Sequence, residues 1–237
     1  MIWCFCWIFK RAKNWFRSFL LTLFVLFILT GSNIVEGGES DHKLNVVVID
    51  PGHGGKDPGA SGKYSKEKDI VLQVSKKLGH YIQKYMDDVK VIYTRDKDVF
   101  VPLHERADIA NKNNADLFIS IHANAISTSS VYGVETFAMG LHKSESNLEV
   151  AKKENKVIEL EDNYEEEYEG FDPSSAESYI IFSLMQNTYL SQSLEFASYV
   201  QNQFRERVNR NDRGVKQAGF LVLWRTNMPS ILVELGF

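Results

Sequence analysis

The chain has 237 residues, 44% hydrophobic and 24% charged, enough to bury one sizeable core. Its formal net charge of −4 is unevenly spread: residues 141–180 hold twelve acidic side chains and four lysines, while the first 32 residues hold four basic side chains and no acidic one. No basic stripe is present, which argues against a nucleic-acid partner. Both cysteines, Cys4 and Cys6, lie in those first 32 residues, so everything downstream lacks a disulfide, a cysteine nucleophile and a cysteine metal site.

Residues 1–32 read as an export leader. Lys10, Arg11, Lys13 and Arg17 precede the apolar run Phe19–Leu29, and Thr30-Gly31-Ser32 supplies small residues for cleavage. The run falls short of the roughly 20 residues that span a bilayer, so a signal peptide is expected, with an uncleaved anchor as the alternative; the membrane enters only through this leader. Residues 33–43 read as a linker and 44–237 as a single catalytic domain.

Val46–Ile49, four β-branched residues, predicts a strand buried on both faces. It ends at Asp50-Pro51 and runs into a loop with glycines at 52, 54, 55, 59 and 62 and His53 at its crest. Asp69–Met86 predicts a helix with a stripe of Val71, Val74, Leu78, Ile82 and Tyr85. Glu67 sits at its entry, where the helix dipole favours a carboxylate. A strand over Val89–Thr94 and a helix opened by Pro102 and running through Asn113 follow. Asp116–His122 predicts a central strand ending on His122, and Gly133–Ala138 a fourth.

Residues 141–180 interrupt the alternation. Ser146-x-x-Glu149 has the form of a capping box, Leu148, Ala151, Val157, Ile158 and Leu160 form a weak apolar face, and Glu161–Glu169 reads as a solvated run. A helix over Leu190–Val208, with Leu190, Leu194, Ala197, Gln201, Phe204 and Val208 as its stripe, leads to two strands, Phe220–Leu223 and Ile231–Glu234. Alternating strands and helices predict an α/β fold, a mostly parallel sheet with helices on both faces. In such a sheet the ends of parallel strands share one rim. His53, His122 and Glu234 all lie at predicted strand ends, and Glu67 can join them from its helix start.

Two imidazoles and a carboxylate form a common catalytic zinc set that leaves a position for water, and a further carboxylate, here Glu234, is then needed to move protons. The residues themselves also fit a degenerate module that binds without cutting, or a zinc carboxypeptidase-like peptidase.

Asp50-Pro51-Gly52-His53-Gly54-Gly55, Lys66-Glu67-Lys68, Thr94-Arg95-Asp96, Ser120-Ile121-His122-Ala123-Asn124 and Pro229-Ser230-Ile231-Leu232-Val233-Glu234 together resemble the successive motifs of the zinc-dependent N-acetylmuramoyl-L-alanine amidases, over about residues 44–237. The resemblance implies a twisted mixed sheet, zinc held by His53, Glu67 and His122, and Glu234 as the catalytic carboxylate. It also implies hydrolysis of the amide joining the lactyl group of N-acetylmuramic acid to L-alanine in peptidoglycan, in the periplasm or cell wall, during wall remodelling or daughter-cell separation. Relatives continue beyond the position of Phe237, so a further segment is expected.

Asn124 either touches substrate or caps a turn, and Lys216 either faces substrate or is solvated. Arg95 and Arg106 read as structural; His42, His80, His104 and His142 read as surface or helix-face residues. Residues 141–180 either place an inhibitory carboxylate, Glu149, Glu154 or Glu159, in the open zinc position or form a solvated surface excursion. An activator protein would relieve the inhibition.

Overall fold

The computed structural model describes residues 43–124, 132–184 and 188–236. The predicted leader and nearly all of the linker, including His42, lie outside these. Among the described residues no helix is long and apolar enough to cross a membrane.

Six strands form one mixed sheet in the order β2-β1-β3-β6-β4-β5. They are β1 (Val46–Pro51), β2 (Lys90–Tyr93), β3 (Leu117–His122), β4 (Val134–Met139), β5 (Asp212–Ala218) and β6 (Ser230–Glu234). β2, β1, β3 and β6 are mutually parallel. β4 pairs antiparallel to β6, and β5 parallel to β4. The C-terminal ends of β1, β3 and β6 therefore share a rim with the N-terminal ends of β4 and β5.

Among the described residues, seven α-helices accompany the sheet: α1 (Glu67–Tyr85), α2 (Leu103–Lys112), α3 (Glu145–Asn155), α4 (Tyr164–Glu167), α5 (Ala176–Leu184), α6 (Leu190–Arg207) and α7 (Leu221–Trp224), with a 3-10 turn at Lys156–Leu160. Alternation along β1 divides the core: Val47 and Ile49 pack with Val71 of α1 and Ala197 of α6, whereas Val48 faces the opposite layer with Ala110 of α2 and Leu221 of α7.

The predicted strand over Phe220–Leu223 is instead the single turn α7, and β5 lies just before it. Four buried apolar residues in a row suit a strand or a buried helical turn equally. β5, Asp-Arg-Gly-Val-Lys-Gln-Ala, is a half-buried edge strand without an apolar run. The stripes of α1 and α6 also shift. Tyr85 and Val208 are exposed, while Ser75 and Gly79 on α1 and Ser193 on α6 are buried.

The segment 141–180 belongs to the core. Leu148, Ala151, Ile158, Tyr168, Phe171 and Tyr179 are buried in the same cluster as Phe137, Phe220 and Leu232. Phe171, Tyr179 and Phe182 pack ring against ring, and Phe182 continues onto Trp224 of α7. The N-cap of α3 is Ser144, whose Oγ accepts from the Asn147 N–H, so the capping box expected from Ser146 does not form.

Nor is the Glu161–Glu169 run uniformly solvated. Glu161 is buried and caps α2, its Oε1 accepting from the Leu103 N–H at 2.7 Å, and its Oε2 accepts from the Tyr168 hydroxyl at 2.7 Å. His104, expected at the surface, lies 3.2 Å from Glu161 Oε2 through Nδ1. A charge run counts residues without saying which find buried donors. The four free N–H groups at the start of α2 supply one.

Candidate metal centre

Four side chains converge at the rim. His53 stands in the loop after β1, Glu67 is the first residue of α1, His122 the last of β3, and Glu154 lies one residue before the end of α3. One donor atom from each falls within 4.8 Å of all the others. Glu67 Oε1 is 3.1 Å from His53 Nε2 and 3.4 Å from His122 Nδ1; Glu154 Oε2 is 3.2 Å and 3.0 Å from the same two nitrogens. All four residues are buried.

Each side chain is held from behind. His53 adopts φ 60°, a left-handed conformation uncommon outside glycine. Arg106 donates to the His53 carbonyl at 2.9 Å, and Arg95 to the Gly52 carbonyl at 2.7 Å. Arg106 is anchored by Asp50, which also accepts from Thr94 and Ser120. Burial would push the Asp50 carboxyl up; Arg106 and the two hydroxyls hold it below the ordinary range. Arg95 and Arg106 thus support the loop and neither reaches the cluster, in keeping with the structural reading of both.

His53 Nδ1 is 2.7 Å from Asp57 Oδ2, which fixes the ring and leaves Nε2 toward the cluster. Glu67 accepts through Oε1 from the Ala123 N–H and through Oε2 from the Ala60 N–H, both at 2.8 Å. Gly52 is required because a Cβ there would stand 2.5 Å from the His122 ring. Asn155 donates to the Gly219 carbonyl and accepts from the Leu221 N–H, tying the end of α3, and so Glu154, to the turn before α7.

The electrostatics describe a site organised for a cation. Burial disfavours imidazolium, yet Asp57, Glu154 and Glu67 push His53 up to about 12, and Glu154 and Glu67 push His122 up to about 9. Burial likewise disfavours ionised Glu67 and Glu154, and the two imidazoles hold both carboxyls down. His53 Nε2, His122 Nδ1 and Glu154 Oε2 are nevertheless buried without a hydrogen-bond partner. Orphaned donors aimed at one point, with two nitrogens and carboxylate oxygens among them, fit a zinc-type divalent ion.

Glu234, the last residue of β6, is paired in register with His122 and is fully buried. Neither carboxylate oxygen has a hydrogen-bond partner. Burial, then the charges of Glu154 and Glu67, push it up to about 8, against the pull of His122 and Lys153.

Of the three acidic residues singled out in the inserted segment, only Glu154 reaches the cluster. Glu149 is exposed and pairs with Lys152, and Glu159 is exposed at the mouth of a hollow beside His53. Asn124 is buried two residues past His122, with Lys153 Nζ 3.5 Å from its Oδ1. Lys216 is not a solvated lysine: its Nζ lies 2.5 Å from Oε2 of buried Glu135, which Arg213 also contacts at 2.9 Å. Sequence reasoning missed Asp57 and Asn155. An acidic residue four positions past a loop histidine was the one available signal for Asp57; Asn155 offered none.

Residues 47–237 match the family model described as N-acetylmuramoyl-L-alanine amidase. The chain is 37% identical over 196 residues to the N-acetylmuramoyl-L-alanine amidase AmiC of Escherichia coli O6:H1, covering 81% of this chain and 45% of that protein. It is 34% identical over 195 residues to AmiA of Escherichia coli, covering 81% and 65%. The chain thus spans about half to two thirds of the length of these curated relatives. Among solved structures, an N-acetylmuramoyl-L-alanine amidase from Clostridium difficile superposes with a TM-score of 0.56 at 31% identity, covering 81% of this chain and 79% of that one. AmiC2 of Nostoc punctiforme gives 0.54 at 30% identity, covering 82% and 81%.

Proposed function

The chain belongs to the N-acetylmuramoyl-L-alanine amidase family, and on that premise we propose that it hydrolyses the amide between the lactyl group of N-acetylmuramic acid and L-alanine in peptidoglycan. The observation that carries the reading is the convergence of His53 Nε2, His122 Nδ1 and the Glu67 carboxylate beside an unpartnered, buried Glu234.

His53, Glu67 and His122 hold the metal, which we take to be zinc. When bound, zinc lowers the pKa of a water toward ~7 and polarises a carbonyl. Glu234, buried beside the cluster, would accept the proton of the attacking water and return it to the departing amine nitrogen, acting as general base and then general acid. Asp57 keeps the His53 tautomer, and the Ala60 and Ala123 N–H groups orient the Glu67 carboxylate.

Glu154 is the inhibitory carboxylate of this reading. Its Oε2 stands where a fourth ligand would, and an activator protein would have to displace α3 to free that position. The leader would carry the enzyme to the periplasm or cell wall, for wall remodelling or daughter-cell separation.

The test is digestion of purified peptidoglycan by the zinc-loaded chain and by its Glu154→Ala variant, which removes the inhibitory carboxylate, followed by mass spectrometry. Intact stem peptides with a free L-alanine amine are expected. Products cut within the glycan or within the peptide, or binding without products, would overturn the assignment.

A further inference from the structure

We propose that the groove on the Glu67 side of the site binds the stem peptide, and that Arg210 there pairs with the free carboxylate of its second residue. The proposal rests on the amidase reading and adds the direction in which substrate lies and the charge it must carry.

Two hollows flank the cluster. One, of about 300 Å³, is bounded by His53, Asp57 and the inserted segment through Lys153, Glu154, Lys156 and Glu159. The other, of about 350 Å³, runs from Glu67 past Asn124 to Ile70, Leu235, Gly236 and Arg210. No residue of 141–180 lines the second, so it is open whatever the position of α3.

The charge of the second hollow is simple. Glu67 is committed to two backbone N–H groups and the two imidazoles. Every other charged function in the lining belongs to Arg210, which is exposed and whose guanidinium has no hydrogen-bond or ion-pair partner among the described residues. In the first hollow, by contrast, two lysines face three carboxylates. An anion therefore fits the Arg210 side and has no clear place on the other.

Strand direction puts Arg210 there. It lies two residues before the start of β5, and because β4 and β5 run opposite to β6, their starts lie at the rim where β6 ends. A Cβ on Gly236 would stand 3.9 Å from Arg210 Nη1. Gly236 is two residues past Glu234, about 7 Å of extended chain. Two residues of an extended stem span a similar distance from the scissile nitrogen. The stem is L-alanine followed by γ-linked D-glutamate, whose α-carboxylate is free unless amidated. Ile70 and Leu235 give the L-alanine methyl an apolar wall.

The test compares N-acetylmuramoyl-L-alanyl-D-glutamate γ-methylamide, whose one free peptide carboxylate is the α-carboxylate, with its α-amide, using the full zinc-loaded chain, its Arg210→Gln and Arg210→Lys variants, and the same three proteins carrying Glu154→Ala for turnover. Binding is read by calorimetry and turnover by release of the dipeptide. The wild type should favour the acid over the amide roughly tenfold in Kd and KM, the scale of a charge-assisted hydrogen bond. Arg210→Gln should abolish that preference, weakening the acid to the affinity of the amide, and Arg210→Lys should restore part of it. Equal affinity of the wild type for acid and amide, a preference that survives Arg210→Gln, or no binding of either ligand would overturn the proposal. Release of no dipeptide by the Glu154→Ala proteins alongside discriminating binding would instead overturn the amidase reading and leave the groove assigned.

Discussion

Glu154 Oε2 lies 3.0 Å from His122 Nδ1, so a residue of helix α3 meets the last residue of the central strand β3 inside the candidate metal cluster. α3 lies within the predicted insert, yet its neighbours are core residues. The position of Glu154 is fixed by Leu148 and Ala151 beneath the helix and by Asn155 beside it.

Glu154→Ala is therefore expected to raise basal hydrolysis of purified peptidoglycan, about tenfold or more, because a self-supplied ligand reduces apparent affinity by the fraction of molecules it occupies. Zinc should stay bound through His53, Glu67 and His122. Removing 144–170 outright is the poorer experiment, since Leu148, Ala151, Ile158 and Tyr168 would leave the core with it. Activity unchanged or lowered in a folded, zinc-loaded Glu154→Ala protein would reduce Glu154 to a structural ligand.

His53→Ala and His122→Ala should lose metal and activity together. Asp57→Ala should keep the fold and bind zinc about 10- to 100-fold more weakly, because the freed His53 ring can turn. Zinc titration against a chelating dye reads all three, and Asp57→Ala with native affinity would show that the Gly-rich loop alone orients His53.

Glu234→Gln separates chemistry from binding. It should retain one zinc while turnover falls roughly 10²–10⁴-fold, the usual worth of general acid–base catalysis. A variant that loses zinc would make Glu234 a ligand.

The pH dependence of the metal-free state follows from the imidazoles. His53 and His122 must shed protons to ligate, and their raised values of about 12 and about 9 mean both carry one at neutral pH. Zinc affinity should then rise about 100-fold per pH unit below pH 9, a two-proton release. Stability of the chelator-treated protein should move the other way. Stabilisation from a histidine whose pKa is raised on folding is complete below its unfolded value near 6.5 and is lost as pH passes the folded one. Glu234, raised to about 8, acts in the same sense. Thermal melts should therefore fall between pH 5 and 9 in chelator. A flat or rising profile would show that the ring nitrogens are neutral in the metal-free fold.

Glu161→Ala should destabilise the protein by about 3 kcal/mol, leaving the buried Leu103 N–H and Tyr168 hydroxyl without their acceptor. Denaturant unfolding checks this. A loss under about 0.5 kcal/mol would restore the solvated reading of the run, since surface substitutions stay within that range.

The chain by itself determined the parts of the fold whose cause is local. Val46–Ile49 is β-branched and continuous, and Leu117–Ile121 is apolar but for Ser120, whose hydroxyl is spent on buried Asp50, because a parallel strand covered on both faces has no solvated side; His53, His122 and Glu234 then had to lie at one rim, because parallel strands end together. Tertiary structure decided what depends on partners far along the chain. Phe220–Leu223 became a buried helical turn packed on α2, β4 and β6 rather than a strand of the sheet. Glu161 was buried because the start of α2 offered N–H groups in need of an acceptor. Among Glu149, Glu154 and Glu159, equally acidic and closely spaced, Glu154 alone reaches the imidazoles. That choice depends on the rotation of α3, set by which of its residues pack onto the core and by the Asn155 anchor at its end. Neither is legible in the acidic run itself.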